Sequence, residues 1–215
     1  MNDTDIYLAE EICKIGRRLY DRGYVAANDG NISVRASDGN ILLTPSGVSK
    51  KDLTPEMIVK TDLSGKKIEG LLNPSSESGM HLLLYRENPL IAAAVHAHPT
   101  TATSFACAGL PLDKPIYPEA ELNLGTVPIT EFAKPGTPAV AKSVKPFCKK
   151  YKSVLLKNHG VLTWGKNLTE ALYRMESVEN YAKIILNVYY IIKNPAELTS
   201  AELKTSKKNE NEEKA

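Results

Sequence analysis

The sequence predicts a single α/β domain of α+β-like, three-layer type, with a sheet lying between helices. Three observations carry this expectation. The chain has 215 residues, enough for one sizeable core and short for two. Short apolar runs alternate with Gly-, Asn- and Asp-containing turns through its middle. Patterns of helical period stand near both ends, over residues 5–22 and 168–192.

The elements follow in order. Ile6, Ala9, Ile12, Cys13, Ile15, Gly16 and Leu19 share one helical face, Thr4 or Asp5 can cap its start, and Gly23 can end it. Asn31 to Arg35 alternates as a strand, Asp38-Gly39 marks a hairpin turn, and Ile41 to Thr44 returns. Met57 to Thr61 and Lys66 to Glu69 form a second pair around Ser64-Gly65. Asn73-Pro74-Ser75-Ser76-Glu77 opens a helix with a serine cap that runs to about Glu87. Ile91 to Val95 is a continuous apolar run suited to a buried strand, and Pro99 starts a helix to about Cys107. Leu124 to Ile129 is expected as a strand and 138–150 as a helix that Pro146 ends early. Ser153 to Leu156 and Val161 to Trp164 are strands around Lys157-Asn158-His159-Gly160. Residues 1–199 are expected to form the one folded domain, and the Lys/Glu/Asn-rich stretch 200–215 a disordered charged tail.

Composition narrows the class of partner. Apolar residues are 42% and charged residues 24% of the chain, which are ordinary globular values. Lys and Arg total 27 against 25 Asp and Glu, so no basic field for nucleic acid exists. No run of about 18 apolar residues predicts a membrane span. The acidic Met-Asn-Asp-Thr-Asp start does not resemble a secretory signal. Cys13, Cys107 and Cys148 are far apart and odd in number, which fits a reducing cytoplasm better than a disulfide framework.

Three constellations can carry chemistry. Two of the four histidines form His96-Ala97-His98 at a strand end, where residues i and i+2 project to one face. His159 sits in a turn between two apolar strands. Three imidazoles with an open position is the pattern of a catalytic zinc site, and borderline metals suit imidazole. A lone histidine is more often a core or surface residue, and His81, mid-helix, is assigned to packing or surface on that ground. Second, Pro74-Ser75-Ser76-Glu77 offers hydroxyls and free N–H groups to an anion, with Glu77 close by, although the same pattern also makes a simple cap. Third, Asn28-Asp29-Gly30-Asn31 and Thr44-Pro45-Ser46-Gly47 are donor-rich turns of a kind that can wrap phosphate. Alone, each of the two turns is an ordinary hairpin signal, and neither is a P-loop or a dinucleotide fingerprint.

Taken together, Gly30-Asn31-Ile32-Ser33-Val34-Arg35, Thr44-Pro45-Ser46-Gly47, Pro74-Ser75-Ser76-Glu77, His96-Ala97-His98 and Asn158-His159-Gly160 stand in the order found in class II aldolase/adducin proteins. The chain resembles that family over about residues 5–190, and within it the members that cleave L-fuculose 1-phosphate. The resemblance implies a central, mostly antiparallel sheet between helices. It implies one Zn²⁺ per chain on His96, His98 and His159. Glu77 acts as acid/base and can itself ligate the metal. Asn28, Gly30, Asn31, Ser46, Gly47, Ser75 and Ser76 hold the substrate phosphate. It places Tyr117 near a tyrosine that helps protonate substrate across a subunit interface in a homotetramer. No Tyr follows Tyr190, so the family's C-terminal tyrosine has no counterpart. The implied activity is zinc-dependent cleavage of a ketose 1-phosphate to dihydroxyacetone phosphate and an aldehyde. The methylthioribulose-1-phosphate dehydratase branch shares the zinc and the Glu. The ribulose-phosphate 4-epimerase branch carries Asp where Glu77 stands, and the adducin-like interaction modules lack the metal.

Overall fold

The computed structural model describes residues 1–204. Helix α1 (Asp3–Asp21) is capped by the Asn2 side chain, which accepts from the Asp5 amide, and buries Ala9, Ile12, Cys13, Ile15, Gly16 and Leu19. Strands β1 (Asn31–Arg35), β2 (Ile41–Leu43), β3 (Val59–Thr61) and β4 (Lys67–Glu69) follow as an antiparallel meander. Helix α2 (Ser78–Glu87) leads to β5 (Ala93–Ala97), and α3 (Thr100–Ala108) leaves it. After α4 (Pro118–Asn123) and α5 (Pro138–Val144) come the hairpin β6 (Ser153–Leu156) and β7 (Gly160–Gly165) and the long α6 (Leu168–Ile185). The seven strands lie in the order β4-β3-β2-β1-β5-β7-β6, and every pairing is antiparallel.

Period-2 alternation divides the strand side chains between two cores. Ile32, Val34, Leu42, Val95 and Val161 pack toward α1, α3 and α6. Ile41, Leu43, Ala94, Leu162 and Trp164 pack toward α2 and α5. The sheet is therefore the middle of three layers, as expected from the sequence.

Four local expectations are corrected. Helix α2 begins at Ser78 with Glu77 as its N-cap, not with a serine cap. The preceding segment cannot coil because it is bridged to the β2 exit: the Ser46 amide donates to Asn73 O and the Ser75 amide to Thr44 O. Residues 124–129 form no strand. Gly125 is left-handed at φ 67°, Pro128 has no N–H, and only bridges through Val127 and Ile129 form. The 124–129 run follows α4, a helix that the sequence reading omitted. The C-terminal helix is α-helical only to Ile185 and widens to a π-turn over Leu186–Ile192, where no residue is buried against the core. Finally, residues 200–204 of the expected disordered tail form a helical turn, and the rest of that tail lies outside the described residues.

Candidate active site

The site forms where β1, β5, the β6–β7 turn and the start of α2 meet. Asn31 pairs directly with His96 across β1 and β5, so both side chains stand on the α2 face. His98 lies just past β5, and its amide donates to Tyr24 O at 2.8 Å. His159 sits in the β6–β7 turn, behind Asn158 at φ 57°. Gly160 is required there by packing: a Cβ on it would meet His98 Cδ2 at 2.5 Å and Ala97 O at 2.7 Å. Gly30, at φ 75°, likewise lies against the His96 carbonyl, with 2.9 Å for an added Cβ.

The three rings converge, with centroids 4.9, 4.7 and 5.1 Å apart. His96 Nδ1 lies 2.8 Å from Val161 O, which can only accept, so Nδ1 carries the proton and Nε2 presents a lone pair. His98 Nδ1 faces Asp29 Oδ2 at 3.5 Å, which leaves its Nε2 inward by the same reasoning. The two Nε2 atoms are 3.1 Å apart. One potential ligand atom from each of His96, His98 and His159 falls within 4.8 Å of the others. Neutral imidazoles turned lone pair to lone pair repel one another, and a shared cation removes the repulsion. Val161 O provides the outer hydrogen-bond partner that metal-ligating histidines have, and Asp29 sets an outer carboxylate beside His98.

Protonation agrees with a cation site. Burial, then repulsion from the neighbouring His96 ring, pushes the His98 and His159 imidazoles down to about 4, so both are neutral at pH 7. Glu77 reaches in from the helix N-cap, with Oε2 3.3 Å from His96 Nε2 and Oε1 3.2 Å from His159 Nε2. Asn31 Nδ2 donates to its Oε2 at 3.0 Å. Burial raises the Glu77 carboxyl, but His96, His159 and Asn31 outweigh it and hold the group well below the usual range. Its Oε1 is buried and accepts no hydrogen bond. A negatively charged oxygen beside three imidazoles fits a divalent cation on this donor set.

A cavity of about 400 Å³ opens over these groups. Asn28, Gly30, Asn31, Ser46, Gly47, Ser75 and Ser76 all line it, together with Glu77, His98 and His159. Asp29, Pro45, Pro135 and Gly136 line it too and were not named as site residues from sequence. Only their position on loops that close over the cavity marks them out. Tyr117 is not in this cavity. It caps α4 and lines a second, larger cavity against α6. Of the two readings given to His81, packing is the one that holds: it is buried beneath the site, with Nδ1 2.7 Å from Ser33 Oγ, which also contacts Tyr85 Oη at 2.6 Å. Cys13, Cys107 and Cys148 are unpaired, and among the described residues no helix is long and apolar enough to cross a membrane.

Residues 10–186 match the profile of the class II aldolase and adducin N-terminal domain. The chain is 39% identical over 175 residues to an L-fuculose phosphate aldolase of Methanococcus maripaludis, spanning 81% of this chain and 93% of that protein. It is 37% identical over 179 residues to a 3-oxo-tetronate 4-phosphate decarboxylase of Pectobacterium atrosepticum, spanning 81% and 82%. The crystal structure of YgbL from Escherichia coli superposes with a TM-score of 0.87 at 32% identity, over 94% of this chain and 98% of that one. With its all-antiparallel seven-stranded sheet and three-histidine metal site, the chain belongs to the class II aldolase/adducin family, among that family's metal-site enzymes.

Proposed function

We propose that the protein is a zinc-dependent lyase that releases dihydroxyacetone phosphate by breaking a carbon–carbon bond, the leading substrate being a ketose 1-phosphate such as L-fuculose 1-phosphate. The observation that carries the reading is Glu77, poised between Asn31 and three inward-facing histidines at the mouth of a donor-rich cavity. The substrates named for the two relatives share one fragment: a phosphorylated methylene, a carbonyl, and a hydroxyl-bearing carbon that holds the bond to be broken. They differ in what leaves, an aldehyde or carbon dioxide.

His96, His98 and His159 would hold the cation, which supplies Lewis-acid stabilisation of charge developing on the carbonyl oxygen. Glu77 moves the proton on the hydroxyl-bearing carbon. In the addition direction its ionised carboxylate takes one hydrogen from dihydroxyacetone phosphate. In cleavage it returns that hydrogen to the carbon that keeps the electron pair. Asn31 fixes the carboxylate's direction through its 3.0 Å hydrogen bond. Asn28, Gly30, Asn31, Ser46, Gly47, Ser75 and Ser76 bind the phosphate and set the register of the carbonyl against the histidines.

Decarboxylation is the second reading, and a specific feature favours it. Losing carbon dioxide needs no base, whereas releasing an aldehyde requires removal of a hydroxyl proton. The cavity lining offers one other carboxylate, Asp29, which already faces His98, and it offers no tyrosine. For the aldol reading we assign that proton to Tyr117 of a neighbouring copy in a homotetramer. Product analysis decides between the two readings. Dihydroxyacetone phosphate with an aldehyde supports the first, and dihydroxyacetone phosphate with carbon dioxide from a 3-oxo sugar acid phosphate supports the second. Water release with an intact carbon chain, or epimerisation, contradicts both.

A further inference from the structure

No Lys or Arg side chain lines the cavity assigned to the phosphate, while two carboxylates, Asp29 and Glu77, do. A dianionic ligand there would meet backbone dipoles and hydroxyls but no cation among the lining side chains. Directly behind the lining lies Lys50. It is 1% exposed and among the largest fully buried side chains in the described structure. Its Nζ donates to Asn28 O at 3.0 Å and to Val48 O at 2.7 Å. Asn28 lines the cavity, and Val48 directly follows Gly47, which also lines it. The lysine stem passes under both loops, and its own backbone carbonyl packs on Gly16 of α1, 2.7 Å from where a Cβ would stand.

We infer that Lys50 is a positioning residue of the anion site, clasping the 28–31 and 45–48 loops from beneath and placing the site's compensating positive charge behind them. A buried ammonium is costly unless carbonyls satisfy it, so its retention between two such loops calls for a function that a surface lysine would not have. Tying the Asn28 carbonyl also fixes the chain that continues through Asp29, which faces His98, to Asn31, which holds Glu77. Burial lowers its pKa from 10.5 to about 8, against a smaller opposing effect of Asp29, so the amine is still mostly charged at neutral pH. Binding an anion nearby would favour the charged form further.

This inference rests on the phosphate reading above, and the test separates the two. Inorganic phosphate is titrated into the metal-loaded wild type, Lys50→Met and Lys50→Gln. The second variant keeps a donor amide while dropping the charge. Metal content and melting temperature are recorded alongside. Both variants should bind phosphate weaker by on the order of 10- to 100-fold, the scale of one charge lost a few ångströms away in a partly screened site. Metal content should be unchanged, and turnover should show the loss mainly in KM. A folded variant that binds phosphate as tightly as the wild type overturns the role of Lys50. Wild type that binds no phosphate overturns the phosphate site itself. If neither variant folds, saturating phosphate should slow acetylation of Lys50 in the wild type relative to its exposed neighbour Lys51. Unchanged relative rates would contradict the proposal.

Discussion

Among the described residues, two cavities contrast in how their polar groups are used. The one that holds Tyr117 has a volume of about 950 Å³, more than twice that of the histidine cavity at about 400 Å³. Several of its charged side chains already have partners. Arg22 pairs with Glu176 at 2.8 Å, Arg174 with Glu170 at 2.7 Å, and Lys152 donates to the carbonyls of Leu122 and Asn123. In the smaller cavity the polar groups converge without satisfying one another: two Nε2 atoms face each other at 3.1 Å, and Glu77 Oε1 is buried without a donor. The histidine cavity is therefore the one with unsatisfied polar groups, although it is the smaller of the two.

The two cavities should differ most at their carboxylates. Glu77→Gln should lower turnover by about 10²–10⁴-fold while metal content stays near one per chain. Glu170→Gln, in the larger cavity, should leave turnover unchanged, because it removes a partly exposed i,i+4 pair. Equal effects of the two substitutions would erase the distinction.

Gly160→Ala probes how tightly the histidines are packed. The new methyl would stand 2.5 Å from the His98 ring and 2.7 Å from a backbone carbonyl, so the ring must move. Metal affinity should fall by about 10- to 100-fold, the scale seen when a ligand's support is disturbed. Chelator competition measures this directly, and affinity equal to wild type would show that the close approach is unimportant.

Stability against pH is the effect furthest from the chemistry. His81 is buried under the site, and burial, then repulsion from His96, pushes its imidazole from 6.5 down to about 3. The unfolded chain takes up that proton below pH 6.5 and the folded chain does not until far lower. Stability should therefore be lost as pH falls from about 6.5 toward 3, at about 1.4 kcal/mol per pH unit for this group. Urea unfolding of metal-free wild type and His81→Asn at pH 7, 6, 5 and 4 reads this group's share, since His98 and His159 add to the slope in both. Equal slopes in the two proteins would mean His81 is protonated in the fold.

Much of the site was legible in the sequence because its chemistry is written in contiguous motifs. His96-Ala97-His98 on a strand, Asn158-His159-Gly160 in a turn and Ser75-Ser76-Glu77 before a helix each have a periodicity or a turn that locates them. Lys50, Asp29 and His81 were not legible in the same way. Lys50 is the first of two adjacent lysines that look like solvated surface, and only the tertiary approach of the 28–31 and 45–48 loops buries it. His81 follows Glu77 by one helical turn, but its partner Ser33 comes from β1, 48 positions away. The expected strand over 124–129 failed for a local reason: Gly125 and Pro128 break a run whose apolar residues otherwise suggest extension.

Hydrogen exchange on dihydroxyacetone phosphate reports on Glu77 and the metal together, whether aldehyde or carbon dioxide leaves. In D₂O, metal-loaded protein should exchange one of the two hydrogens on the hydroxymethyl carbon, followed by proton NMR. Chelated protein and Glu77→Gln should exchange none above the uncatalysed rate. Binding of dihydroxyacetone phosphate to metal-loaded wild type without any exchange, or exchange that persists in Glu77→Gln, would contradict the account.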